Sequence, residues 1–200
     1  MYRKEIHTNR ELSAWYESKY QEMGGPWRTS HADCLWHIAH ISKAAGLPLG
    51  GKTFLDVGCG SGDFLRTLWD GYHPRCIGID FSVEACKFSA EACPHCTIIH
   101  GAVESAHLYL QDRLFDWVIS IGTVEHFVDP IGCYLSIARM LKQDGHWYFY
   151  VPNELWTHED QPNERTFTDN GWMDYWGKYR FMTQGHERLR DNTAFWGVIG

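Results

Sequence analysis

Residues 53–64 read TFLDVGCGSGDF, with Gly58, Gly60 and Gly62 at alternate positions between an apolar strand and a helix, and Asp56 and Asp63 on either side. Glycines so placed let the backbone approach a nucleotide where any Cβ would intrude. The dinucleotide fingerprint GxGxxG requires glycine at position 63, where this chain has Asp63, and no Gly-Lys-Ser/Thr follows as in a P-loop. A pyrophosphate is favoured at a helix N-terminus by N–H groups and the dipole, an arrangement that carboxylates at Asp56 and Asp63 oppose. They suit a nucleoside carrying positive charge and no phosphate. The segment CIGIDFS then ends in Asp80, 24 residues after Asp56. Its carboxylate is suited to accepting both ribose hydroxyls, and Phe81 beside it to lying against a base.

S-adenosylmethionine meets that description, with an ammonium, a sulfonium and no phosphate. In the segment TIIHGAVES, the small residue and backbone N–H at Gly101-Ala102-Val103 suit the adenine edge. A fourth apolar run, FDWVISI, stops at Ile121 and leads into GTVEHFVDP. In an open α/β sheet, ligands lie beyond the carboxyl ends of the strands, so Glu125 and His126 are the polar groups expected beside the reacting centre.

FLDVGCGSGDF, GIDFS, HGAVES and FDWVISIGTVEHFVDP together resemble, in order, the successive motifs of class I S-adenosylmethionine-dependent methyltransferases, closely over residues 50 to 152. SIGTVEHFVDP is similar to the matching stretch of ubiquinone-pathway O-methyltransferases, and IGTVEHF also resembles cyclopropane-fatty-acid synthases. The resemblance implies that Asp56, Gly58 and Gly60 line the cofactor loop and Asp80 binds ribose. It implies that Ala102 and Val103 flank adenine, and that the backbone at Ile121 meets the methionine portion. It also implies an N-terminal helix over the cofactor, so that Tyr16 or Tyr20 of AWYESKY contacts it, with aromatic packing on the sheet as the alternative. Should the acceptor be a hydroxyl, a base must remove its proton. A histidine suits that task, which makes His126 base or orienting group and Glu125 the partner of the imidazole or of a substrate polar group. The alternative is that both only cap the next segment and close the pocket. One departure from the family pattern is LKQDGH before the fifth strand, where Asp144-Gly145 replaces the usual proline-glycine-glycine turn.

The elements that must position these groups follow from periodicity. Strands are predicted at Thr53–Val57, Cys76–Asp80, Thr97–His100, Phe115–Ile121 and His146–Val151. Helices are predicted near Gly62–Trp69, Val83–Cys93, Ser105–Gln111 and Pro130–Leu141. Continuous apolar strands alternating with helices indicate an α/β fold. With the family resemblance, this is a Rossmann-like doubly wound, mostly parallel seven-stranded sheet with a final antiparallel hairpin, from RFM and TAFWGVIG. One domain over 1–200 is expected: a helical cap at 1–46, a cofactor-binding core at 50–152, and a lid, helix and hairpin at 153–200. Thr29 or Ser30 caps a helix carrying Leu35, Ile38 and Ile41 that ends at Gly46. His37 and His40 on it read as surface or packing residues. Trp172, Tyr175, Trp176 and Tyr179 recur at helical spacing and read as core.

The 200 residues carry a net charge of −7, which opposes a nucleic acid partner, and the densest basic stretch, HERLR, reads as a solvated turn. The polar start has no signal-peptide core, and no apolar run is long enough for a membrane span. Seven scattered cysteines point to reduced thiols in a cytoplasmic protein. Cys93 and Cys96, with His95 between them, read as a connecting turn and not as a zinc site, since no second pair follows. No metal is expected, although His158, Glu159 or Asp160 joining Glu125 and His126 is conceivable. The function expected is methyl transfer from S-adenosylmethionine to a small-molecule acceptor, with oxygen favoured. The alternatives are a non-catalytic methyltransferase-like binding module, and N- or C-methyl transfer including cyclopropane-type chemistry. Oligomeric state is left open.

Overall fold

A computed structural model of the protein describes residues 6–46, 48–110, 114–157 and 161–200. Seven helices and seven strands follow one another: α1 (Asn9–Met23), α2 (His31–Ala45), β1 (Thr53–Val57), α3 (Asp63–Tyr72), β2 (Arg75–Asp80), α4 (Val83–Ala92), β3 (Thr97–His100), α5 (Val103–Tyr109), β4 (Phe115–Ile121), α6 (Pro130–Met140), β5 (Leu141–Pro152), α7 (Asp169–Gly177), β6 (Phe181–Leu189) and β7 (Asn192–Ile199). The strands form one sheet in the order β3-β2-β1-β4-β5-β7-β6. β1 to β5 are parallel; β7 is antiparallel to both β5 and β6. The strand order reverses between β1 and β4, the switch point at which a crevice opens beyond the carboxyl ends.

The strands are apolar because both faces are covered. On one face Ile38 and Ile41 of α2 and Leu65 and Leu68 of α3 pack with Phe54, Ile119 and Tyr148. On the other, Ala106, Tyr134 and Ile137 of α5 and α6 join Trp172 and Trp176 of α7 over Val118, Trp147 and Phe149. The aromatic stripe of α7 is therefore core, as its period predicts. Ser30, not Thr29, caps α2, accepting from the Asp33 N–H at 3.1 Å, and Gly46 ends it. Leu35, expected on the packed face, is exposed.

Four other expectations are corrected. β5 begins at Leu141, not His146, and the Asp144-Gly145 turn is absorbed into it as an irregularity: Phe115 pairs with Leu141, and Trp117 with His146. α5 begins at Val103, and the expected helix end at Gln111 lies outside the described residues. HERLR is not a free turn, since His186–Leu189 belong to β6 and Arg188 bonds Asp169 at 2.5 Å and Glu154 at 2.6 Å. The expectation of seven reduced thiols also fails. Cys93 and Cys96 are joined as a disulfide at the end of α4, because the CxxC turn brings their Cα atoms to 5.5 Å, while five cysteines stay free. No helix of the described residues is long and apolar enough to cross a membrane.

Far from the crevice, Asp116 fastens β1 to β4. Its Oδ2 accepts from Thr53 N at 2.8 Å, Thr53 Oγ1 at 2.7 Å and Lys142 Nζ at 2.8 Å. Burial pulls its pKa up, but the bonds from Lys142 and Thr53 outweigh burial and hold it down to about 2. The stabilisation is full above the ordinary carboxylate range and is lost as pH falls through about 2. Asp116→Asn should destabilise the protein by about 1–3 kcal/mol at pH 7, the cost of weakening charge-assisted bonds. Unchanged denaturant unfolding at pH 7 would contradict this anchor.

Candidate active site

The crevice is a cavity of about 510 Å³ whose wall contains Tyr20, Asp56, Gly58, Gly60, Asp80, Phe81, Ala102, Val103, Ile121, Glu125 and His126, so each site residue expected from sequence faces one space. Its floor is the turn after β1. Gly60 has φ +52°, and a Cβ there would point at Tyr20 Oη, 3.8 Å away. Its N–H donates to Asp80 Oδ2 at 3.0 Å, and the Ser82 N–H donates to Oδ1 at 2.9 Å. Asp80 thus locks the loop and the start of α4, while each oxygen keeps a lone pair for a diol. Gly58, at φ +71°, needs its missing Cβ for a different reason than expected. A Cβ there would come within 2.4 Å of Thr123 Oγ1, so glycine admits the β4 loop to the wall.

Asp63 requires a second correction. It does not offer its charge to a ligand: it accepts from Arg28 Nη1 at 2.8 Å, Thr29 N at 3.1 Å and Arg66 Nη2 at 3.4 Å. It pins the α1–α2 linker to the loop, a partnership hidden from a local reading because Arg28 lies 35 residues earlier. The acidic character of the cavity survives. Acidic side chains outnumber basic ones in its described wall eight to two, the two being Arg28 and Arg190. Asp56 is buried, and burial followed by the charge of Asp80 pushes its pKa up to about 8. Burial also raises Asp80, opposed by the N–H groups of Ser82 and Gly60.

α1 closes the cavity from above. Thr8 caps it, and three side chains reach down from it. Ser13 Oγ donates to Phe81 O at 3.0 Å, Asn9 Nδ2 donates to Glu104 Oε1 at 2.8 Å, and Glu17 accepts from Val83 N. Tyr16 lies edge-on to Phe81 at 5.7 Å and to His126 at 6.2 Å, so it spans the two halves of the site.

Glu125 and His126 sit on a single 3₁₀ turn, Val124–His126, directly after β4. His126 is buried, and its Nδ1 lies 2.8 Å from Pro162 O. A carbonyl can only accept, so Nδ1 carries the proton and Nε2 bears the lone pair. Nε2 is 3.8 Å from Glu125 Oε1, while Glu125 Oε2 is buried with no hydrogen-bond partner among the described residues. Burial lowers His126 to about 4 and, with the charge of Glu164, raises Glu125 to about 8 against its own backbone N–H and Arg165. Arg165 holds the turn by donating from N and Nη1 to Glu125 O at 3.2 and 2.9 Å, and from Nη1 to Phe127 O at 2.9 Å.

Sequence reasoning missed this support, which comes from the segment after β5. Pro162 and Arg165 clamp the Glu125–His126 turn, Gln161 accepts from Tyr16 Oη at 3.0 Å, and Asn163 bonds both Ile6 N and Ile6 O. It also missed His37, which is buried in the wall. No group of three metal-ligating side chains occurs among the described residues, and His158, Glu159 and Asp160 lie outside them.

The cavity suits a cationic nucleoside because Asp56, Asp80 and Glu125 are buried in it and no Lys or Arg is buried among the described residues. A bound positive charge favours the ionised form of Asp56 and Glu125, so binding expels protons below about pH 8. Affinity for S-adenosylmethionine should rise between pH 6.5 and 8.5, by up to about tenfold per pH unit per proton released, and then level off. S-adenosylhomocysteine, lacking the sulfonium charge, should rise less steeply. Calorimetry giving one affinity across this range would contradict the assignment.

Comparison with known proteins agrees with this geometry. Residues 55–149 match the family model described as a methyltransferase domain. The chain is 35% identical over 143 residues to a tRNA U34 carboxymethyltransferase of Aeromonas salmonicida, covering 60% of this chain and 41% of that protein. It is 28% identical over 142 residues to a ubiquinone biosynthesis O-methyltransferase of Vibrio cholerae, covering 68% and 56%. The chain thus spans about half the length of the curated relatives it matches. A solved S-adenosylmethionine-dependent methyltransferase from Clostridium acetobutylicum superposes with a TM-score of 0.69 at 11% identity, over 96% of this chain and 98% of that one, which shows the shared fold. The methyltransferase-domain match over residues 55–149 and the shared fold support a class I S-adenosylmethionine-dependent methyltransferase, whose cofactor the cavity over β1, β2 and β4 is suited to hold.

Proposed function

We propose that this protein transfers a methyl group from S-adenosylmethionine to an oxygen of a small-molecule acceptor. The observation that carries the reading is the tautomer of His126: with Nδ1–H committed to Pro162 O, an unprotonated Nε2 remains beside Glu125 in the wall. The cofactor supplies an electrophilic methyl carbon. Asp80 is assigned the ribose, Gly101–Val103 and Phe81 the adenine, and Asp56 with the backbone at Gly58 and Ile121 the methionine portion. Tyr20 covers the loop from α1.

An imidazole near 4 is a weak base alone. Ionised Glu125, 3.8 Å away, offsets the charge that Nε2 gains as it takes the acceptor proton, and burial strengthens that attraction. The two groups act as one proton acceptor, with Glu125 the electrostatic partner. An amine acceptor would use the same pair to receive its proton, so oxygen is favoured over nitrogen only by the need for a base.

Two other readings are less well supported. A tRNA substrate, suggested by the name of one relative, meets a chain of net charge −7. Carboxymethyl transfer would bring another carboxylate against Glu125 and Glu164, so the acid-rich wall favours an uncharged methyl group. A non-catalytic binding module has no use for an orphaned carboxylate beside an oriented imidazole.

His126→Ala should lower kcat by about 10²–10⁴-fold, the range for a lost general base, with the Kd for S-adenosylhomocysteine changed less than about threefold. His126→Asn should be nearly as slow. Equal loss of turnover and cofactor affinity would instead make His126 a structural residue.

A further inference from the structure

The cofactor residues occupy the part of the cavity above β1 and β2. The same cavity continues past β4 to β5, two strands from β1 and roughly 10 Å away by ordinary strand spacing. There its wall includes His37 of α2, Tyr150 of β5 and the β6–β7 turn at Arg190, and Trp27 of the α1–α2 linker lines the same cavity. None of these has a part in the cofactor or proton-transfer roles above.

His37 is the informative residue. It is 2% exposed, and its Nδ1 lies 2.8 Å from Tyr148 Oη. Its Nε2 has no hydrogen-bond partner among the described residues, although the ring lines the cavity. A nearly buried imidazole held by one nitrogen, with its ring in the cavity wall, can offer the other nitrogen to a ligand in a fixed orientation. Tyr150 meets the His37 ring edge-on at 4.6 Å, and Trp27 is 42% exposed, large for an indole on a linker.

Charge narrows the ligand further. Burial, then Asp191 and Asp33, push the Tyr150 phenol up to about 12, with Arg190 opposing. In the cavity wall as a whole, acidic side chains outnumber basic ones. An anionic ring would meet repulsion here, whereas an amine or an uncharged ring would not.

We infer that this lobe is the acceptor subsite and takes a flat aromatic molecule, neutral or cationic, with its ring against Trp27 and Tyr150 and a polar substituent on His37 Nε2. The inference rests on the methyl-transfer reading and adds the class of acceptor to it. His37 is a positioning group, and His126 remains the proton acceptor.

The test is calorimetric titration of the full chain, alone and with S-adenosylhomocysteine, with tryptamine, indole and indole-3-acetate as probes. Tryptamine should bind at least about tenfold more tightly than indole-3-acetate. Trp27→Ala, at an exposed position, and His37→Phe, which keeps the ring volume, should each weaken tryptamine by about tenfold. Both should leave the affinity for S-adenosylhomocysteine within about twofold. Equal or tighter binding of indole-3-acetate, wild-type tryptamine affinity in both variants, or no binding of any indole overturns the inference. Failure of S-adenosylhomocysteine to bind, with the indole series intact, overturns the methyl-transfer reading and leaves the aromatic lobe standing.

Discussion

Three carboxylates, Asp56, Asp80 and Glu125, are buried at the carboxyl end of a parallel sheet, and no Lys or Arg is buried among the described residues. Arg28 is committed to Asp63, and Arg165 to backbone carbonyls. Burial disfavours their charged forms, with Asp80 adding to the effect on Asp56 and Glu164 to that on Glu125, so that Asp56 and Glu125 both reach about 8. Two backbone N–H groups bind the Asp80 carboxylate, and in return it fixes the glycine turn and the first turn of α4. The site is therefore built around buried acids that a bound positive charge would ionise, and the local backbone depends on the Asp80 carboxylate.

The remainder of the fold makes that arrangement rigid. β1, β2 and β4 hold the turns in register between two apolar layers. α1, a polar helix with few buried residues, is attached by side-chain bonds to Phe81, Val83 and Glu104 instead of by a large apolar face. The segment after β5 clamps the Glu125–His126 turn through Pro162 and Arg165, and Asn163 ties it to the chain before α1 through Ile6. A ligand-binding roof held by polar bonds, over a floor held by hydrophobic packing, matches the usual division between mobile and stable parts of an enzyme. The Glu125–His126 turn is thus positioned by residues distant in sequence, Pro162 and Arg165, which lie beyond the family-model match at 55–149.

What was legible in the sequence follows the range of the interactions. Gly58, Gly60 and Asp80 could be read because their spacing is set by one strand–turn–helix unit, and β1, β3 and β4 fall where their apolar runs predict. The same reading erred at Asp63, whose partner Arg28 comes from another element, so a carboxylate that looked free is neutralised. It took His37 for packing because the cavity beside it is completed by Tyr150 and the β6–β7 turn, more than 100 residues away. It placed a free turn at Asp144-Gly145, where pairing of Leu141 with Phe115 draws the segment into β5. Cys93 and Cys96 read in the sequence as a connecting turn, because spacing alone does not distinguish a CxxC turn from one closed by a disulfide.

The most direct test of the central electrostatic claim is a competition between two adenosine-containing ligands of opposite charge. The purified protein should bind S-adenosylmethionine in the micromolar range at pH 8 and show no calorimetric response to NAD at millimolar concentration. Retention of the dinucleotide, with indifference to the sulfonium nucleoside, would contradict the account at its root.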